Sequence, residues 1–391
     1  MADDSSPDQP DQPDPFAGFP MFGDLSRALQ GQGPLNWDAA RQFAQLGATE
    51  GRAEHNVDPS VRIAYTELAR IAGMHVSDVT GTDTSFPEPR LVTRSQWASE
   101  TLEAYRPLFT EMAVSLGRQS ADDESADPMM QMMAGLSKLM QPAMMGMAVG
   151  SMVGALSKRV FGLHDLPIPR DRQDVVLVPV TIDAFAQEWN IPLDQMRLWV
   201  LAHELSGYQV FAIDHLRESL ASLVRSYAGG FRPDPSSIAE QLGGLDTGSD
   251  DPMQALQRAF SDPEMLLGAV QSAEQRDLQP RLDAAVAAVV GYTDWVVDAV
   301  AVRVIGGEAL RVAEAVRRQR VERTPDDAFV EKLLGIRVGD DQVARGKAFV
   351  QGVVDRIGEH GLTRTLRLEG SLPTPNELEA PGLWIARVSG E

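Results

Sequence analysis

Three glycines spaced four residues apart, Gly146, Gly150 and Gly154, sit inside an uncharged stretch that runs from Leu139 to Leu156. Residues four apart share one face of a helix, and a face without side chains lets a second helix approach to backbone contact. The spacing therefore predicts a helix whose glycine edge must be covered, which commits the chain to helix-on-helix packing. The surrounding segment, 129–153, also holds nine of the 16 methionines. A membrane span is the competing reading, but the uncharged run is barely long enough and contains Gln141, Pro142 and Ser151. A buried, tightly packed helix is the expectation. This Met-rich segment is the only membrane candidate, through an adaptable contact surface.

Composition narrows the rest. A chain of 391 residues, 43% apolar and 23% charged, can bury a large core. It has no cysteine, so disulfides and thiolate metal sites are excluded and any metal falls to His, Asp or Glu. A net charge of −21 repels phosphate backbones, and no nucleic acid is expected as a partner. Met1-Ala2-Asp3-Asp4 lacks the basic start and apolar run of an export signal, so a cytoplasmic location is expected. Residues 1–21, rich in Asp and Pro, are expected to form a disordered acidic tail. Residues 22–391 are expected to be a single helical domain, with an N-terminal helical part over 22–170 and a core over 171–391.

Apolar residues at helical spacing predict helices opening at Asn36-Trp37 and over Pro59–Ala72, and one continuous helix from Ser95 to about Leu116. An acidic loop is expected at 121–127. The β-branched run Val175 to Val180 predicts a strand, and a helix follows over about Asp183–Trp189. A single long helix is expected from Leu193 to Tyr227, then a polar loop at 246–251 and helices near 252–260 and 263–272. Further helices are expected near 277–305, 309–323, 328–334 and 342–358, with a last helical turn at 373–378. The fold class is α+β, predominantly helical, with a small sheet and many helices.

The stretch that carries chemistry is Leu198-Trp199-Val200-Leu201-Ala202-His203-Glu204-Leu205-Ser206-Gly207-Tyr208. In an H-E-x-x-H helix, two His four apart hold zinc and the Glu acts as general base on the metal-bound water. His203 and Glu204 stand in place, but Gly207 occupies the position of the second His. His215, twelve residues beyond His203, falls about 120° away around a continuous helix, and Ile213 stands where an extended motif wants a third His. Ser206 lacks the flanking glycines of a nucleophile elbow, and His55, His75, His164 and His360 are scattered without ligand spacing. These four histidines are read as surface or ordinary hydrogen-bonded residues.

With the run Val175 to Val180, Phe185, Trp189, Pro192-Leu193-Asp194 and Arg197-Leu198-Trp199, the motif resembles the actinobacterial zincin-like, zinc-dependent metallopeptidase family once catalogued as a domain of unknown function. The resemblance extends through Trp97, Tyr105-Arg106-Pro107, Leu166-Pro167-Ile168-Pro169, Asp262-Pro263-Glu264, Gly291-Tyr292-Thr293-Asp294-Trp295, Gly346-Lys347-Ala348-Phe349 and Leu372-Pro373-Thr374. It implies a zincin-like core and a second metal segment, Glu-Gly-x-x-Asp, which here reads Val290-Gly291-Tyr292-Thr293-Asp294. By that resemblance His203 is a vestigial ligand and Glu204 a vestigial general base. Asp294 becomes a residue that orients His203 by accepting its hydrogen bond, and Gly207 and Val290 mark lost ligands.

A structural zinc with four ligands is worth about 10–16 kcal/mol, on the order of 3 kcal/mol per ligand. Two lost ligands then cost roughly 6 kcal/mol, about four orders of magnitude in affinity. The expectation is a degenerate H-E-x-x-H protein with no cofactor, a pseudoenzyme acting through a peptide or protein partner. The alternative is an active atypical zinc-dependent hydrolase that uses His203 and Glu204.

Overall fold

Gly146, Gly150 and Gly154 do face another helix, and the way they do so sets the N-terminal half of the fold. The structure, a computed structural model, describes residues 33–83, 85–117, 128–171, 174–233, 269–270, 272–322 and 325–390. In chain order the elements begin with α1 (Trp37–Thr49), α2 (Pro59–Thr80), β1 (Arg90–Leu91), α3 (Arg94–Ala104), α4 (Arg106–Gly117) and α5 (Pro128–Leu156). Then follow β2 (Val176–Leu177), α6 (Pro179–Glu188), α7 (Leu193–Phe211), α8 (Asp214–Gly229), β3 (Arg232–Pro233) and β4 (Ala269–Val270). The last part comprises α9 (Ala273–Val304), α10 (Ala309–Val321), α11 (Pro325–Leu334), α12 (Asp340–Ile357), α13 (Glu359–Leu366), α14 (Pro375–Glu379) and α15 (Pro381–Ser389).

The glycine edge of α5 lies on α1. A Cβ added at Gly146 would fall on the carbonyl of Asn36, one at Gly150 on that of Ala40, and one at Gly154 would lie 2.7 Å from that of Ala44. Ala40, Ala44 and Ala48 form the matching small face of α1. A second close crossing joins α9 to α12, where a Cβ at Gly291 would fall on the backbone of Gly346 and one at Gly346 on the carbonyl of Ala287. Helix α9 is the central element, and α2, α7, α8 and α12 pack around it. Among the described residues it is the one helix long and apolar enough to cross a membrane, and 72% of its apolar window is buried inside the protein.

Several expected elements are divided or shortened. The stretch expected as one helix from Ser95 to Leu116 is two, α3 and α4, because Pro107 has no N–H to give to Glu103 and the ladder breaks around Tyr105. The run Val175 to Val180 yields only two strand residues, since Pro179, with its φ preset for a helix, opens α6. These two residues pair in parallel with Arg90–Leu91. The helix expected from Leu193 to Tyr227 breaks at Ile213, whose backbone is extended (φ −84°, ψ 106°). Arg217 covers the break by donating to the carbonyl of Phe211 at 3.0 Å. Helices α13 and α15 and the antiparallel pair β3–β4 lack a counterpart in the sequence reading. The expected tail, the acidic loop at 121–127, the loop at 246–251 and the helix near 252–260 lie outside the described residues, as does nearly all of the one near 263–272.

An alanine at Gly150 tests the α1–α5 contact. In an open helix Gly→Ala is stabilising by up to about 1 kcal/mol, whereas here Gly150→Ala is expected to destabilise by about 1–3 kcal/mol through backbone overpacking. Chemical denaturation of the two proteins measures the sign.

Candidate functional site

Helix α7 is buried along almost its whole length, with His203, Glu204, Ser206 and Gln209 inside. A helix places residues four apart in one row, here Trp199, His203, Gly207 and Phe211. The Trp199 ring stacks on His203 with centroids 5.5 Å apart and planes 12° from parallel. Gly207 contributes no side chain, and the ring of His164 fills that gap, stacked on Phe211 at 5.7 Å and 14°. A Cβ at position 207 would lie 2.5 Å from both Cβ and Cγ of His164. The row is continuous, with one ring borrowed from the loop between α5 and β2.

That loop is held from three sides. The indole of Trp97 donates to Gly162 O at 2.9 Å, the Tyr105 hydroxyl to Ile168 O at 2.8 Å, and Val178 N to Phe161 O at 2.8 Å. Asp165 closes the turn by accepting from the N–H groups of Phe161 (2.5 Å) and Gly162 (2.8 Å). Burial pushes the Asp165 carboxyl above its ordinary range, and the nearby Glu204 charge adds to the push.

Glu204 is fully buried and turns toward this loop. It accepts from Leu163 N at 3.1 Å, His164 N at 2.9 Å and His164 Nδ1 at 2.8 Å. Gly162 has to be glycine here, because a Cβ would fall on the Glu204 carboxylate. Burial works to raise its pKa, yet the His164 ring, and after it His203, bring it down to about 2. A general base needs an oxygen free to take a proton and a pKa near the working pH. Both Glu204 oxygens already accept from the 163–164 loop, and its pKa is held well below that range.

On the other side of α7, His203 Nε2 lies 3.1 Å from Arg320 Nη2. A guanidinium only donates, so Nε2 accepts and the ring proton is assigned to Nδ1, which lies 3.9 Å from Glu204 Oε1. Arg320 Nη1 reaches the Asp294 oxygens at 3.0 and 3.3 Å. Burial acts to raise the Asp294 pKa, but Arg320 and then Lys347 overrule it and hold the carboxyl below its ordinary range. Lys347 Nζ stands 3.9 Å from Asp294 and 2.8 Å from Asp298, and Arg317 pairs with Asp298 at 3.0 Å. The expected direct hydrogen bond from His203 to Asp294 is thus replaced by a bridge through Arg320.

His203, Gly207 and Val290 line one small cavity together with His164, Asp165 and Arg320. The sequence reading did bring the first three to one place, whereas Glu204 is absent from that lining. An open cleft adjoins it, sharing Asp165 and Arg320 and lined also by Leu156, Val160, Val330 and Ile336. His215 belongs to α8, with Nε2 at 3.2 Å from Leu366 O and 3.3 Å from Ser371 Oγ. Ser206 Oγ donates to Ala202 O at 2.6 Å. His164, read as a surface or ordinary hydrogen-bonded residue, is hydrogen-bonded to Glu204, and its ring lies against Gly207, a contact the sequence did not reveal. Asp165 and Arg320 were missed as well. Arg320 sits in the arginine-rich stretch 317–323, which reads as a solvated helix face, and the sequence carries no signal that singles it out.

A family profile described as zincin-like metallopeptidase matches residues 35–385. No curated protein matches the sequence. Among solved structures, a crystal structure described as a proposed hydrolase with a novel fold from Chloroflexus aurantiacus superposes with a TM-score of 0.62 at 21% identity, covering 91% of this chain and 99% of that one. This likeness shows a shared fold.

The zinc ion implied by the H-E-x-x-H pattern does not fit the residues present. Among the described residues, no three His, Asp or Glu side chains are arranged to hold a metal. The nitrogen that His203 turns to the cavity is met by a guanidinium, which has no lone pair to offer and repels a cation.

Two outcomes test this arrangement. Gly207→Ala is expected to destabilise by about 1–3 kcal/mol, because the new Cβ meets His164, where an unobstructed helix site gains from the same change. Glu204 gives the second. Its folded-state pKa lies below the ordinary 4.5, so its contribution is fully present above about pH 4.5 and is lost as pH falls toward about 2. The contribution is on the order of 3 kcal/mol. Urea unfolding between pH 5 and pH 2 is expected to show a shallower acid loss for Glu204→Gln than for the unchanged chain.

Proposed function

The chain belongs to the zincin-like metallopeptidase family, and we propose that it is a non-catalytic member that keeps the scaffold and acts by binding a peptide or protein in the cytoplasm. The observation that carries this reading is the double commitment of the motif pair. His203 Nε2 faces Arg320 at 3.1 Å, and both oxygens of Glu204 are engaged by Leu163 N, His164 N and the His164 ring. A hydrolytic site needs an open ligand position and an unoccupied base, and both groups are spent on internal contacts.

The open cleft beside the site supports the binding half of the reading. Leu156, Val160, Val330 and Ile336 give it an apolar wall, with Arg159, Glu331 and Gln319 also lining it. Such a lining suits an apolar side chain flanked by polar backbone. The net charge of −21 argues against a nucleic-acid ligand.

Plasma-emission metal analysis and peptide hydrolysis on untagged protein test the reading. Zinc well below one equivalent is expected, with hydrolysis at background and unchanged in Glu204→Gln. Stoichiometric zinc that disappears in His203→Ala, or peptide cleavage abolished by Glu204→Gln, establishes instead an atypical zinc-dependent hydrolase.

A further inference from the structure

We infer that Arg320 is the chain's own cation at this site: its guanidinium holds the charge position between His203 and Asp294, and a small guanidinium ion takes that position when the side chain is shortened. The inference rests on the proposed reading that His203 is not a working metal ligand, and it goes further by saying what stands in the metal's place.

The geometry is that of a filled cation site. One edge of the guanidinium is divided between two different acceptors, with Nη1 on the Asp294 carboxylate at 3.0 Å and Nη2 on His203 Nε2 at 3.1 Å. Asp294 is buried, and a buried carboxylate stripped of its counter-charge is strongly destabilising. Gly207 and Val290 remove ligands from the same cavity, so the compensating charge has to come from a side chain. A planar fork can serve a carboxylate and an imidazole at once, whereas an ammonium is a point charge and serves them less well.

The backbone around Arg320 is fixed to deliver it. Arg159 donates to the carbonyls of Gln319 at 2.7 Å and Glu322 at 2.9 Å, on either side of Arg320. Arg311 donates to Asn190 O at 2.8 Å, and Arg317 pairs with Asp298 at 3.0 Å. Helix α10 is therefore pinned at three points beside the cavity. A guanidinium delivered in this way is covalently part of the chain, and no chelator removes it.

Thermal melting of the full chain tests the inference. Arg320→Ala is expected to melt several degrees lower. Millimolar guanidinium or methylguanidinium should recover part of that loss, and equal concentrations of sodium or tetramethylammonium should not. Arg320→Ala melting like the unchanged chain, or guanidinium rescuing no better than tetramethylammonium, overturns the inference while leaving the non-catalytic reading intact. Conversely, a drop in the melting temperature of the unchanged chain under EDTA strikes at the non-catalytic reading. Should Arg320→Ala fail to fold, nitrogen-15 spectra of the histidine side chains decide. An unprotonated Nε2 at His203 that shifts in Arg320→Lys is expected, and a protonated Nε2 in the unchanged chain overturns the assignment.

Discussion

The Glu204 carboxylate, fully buried in the middle of α7, is the contact on which the arrangement of the site depends. Taking a carboxylate out of water costs several kcal/mol, and the charge persists only where donors surround it. Here Leu163 N, His164 N and the His164 ring supply them. Those three donors belong to one short stretch of loop, so stabilising the charge and fixing the loop are the same event. Once the stretch is fixed, His164 lies over Gly207 and Asp165 lies beside the cavity that Arg320 enters.

Close helix packing supplies the other half. Gly291 and Gly346 let α9 and α12 cross at backbone distance. The residue after Gly346 is Lys347, whose ammonium thereby reaches Asp294 and Asp298 on consecutive turns of α9. A bulkier crossing would push the two helices apart and leave both carboxylates to Arg317 and Arg320 alone. Charge placement in this core is a consequence of where the side chains are smallest.

Features set by local spacing were legible in the sequence. The four-residue glycine repeat of α5 and the row His203–Gly207 follow from helix periodicity, the segment carrying Val290 and Asp294 was singled out by the family resemblance, and the structure brings the last two segments to one cavity. Features set by tertiary partners were not. The break at Ile213 depends on Arg217 covering the end of α7, and no local composition marks it. Pro107 and Pro179 were readable as a helix interruption and a helix start, but the apolar runs around them read as longer elements. The family resemblance implied missing ligands at Gly207 and Val290. It gave no view of what fills their places, because Arg320 lies 117 positions from His203 and His164 lies 40 from Glu204.

His203, Glu204 and Asp294 each make internal contacts that are costly to break. Removing Glu204 orphans two buried N–H groups and a ring nitrogen, at about 1–3 kcal/mol for each unsatisfied group. Removing Asp294 leaves the part-buried Arg320 guanidinium with His203 but without its carboxylate partner. Each residue is thus held in place by the partner it would leave behind. Motif identity alone therefore does not separate a catalytic helix from a structural one. The direction of the lone pairs bears on that choice: His203 Nε2 meets Arg320, and the Glu204 carboxylate closes a loop.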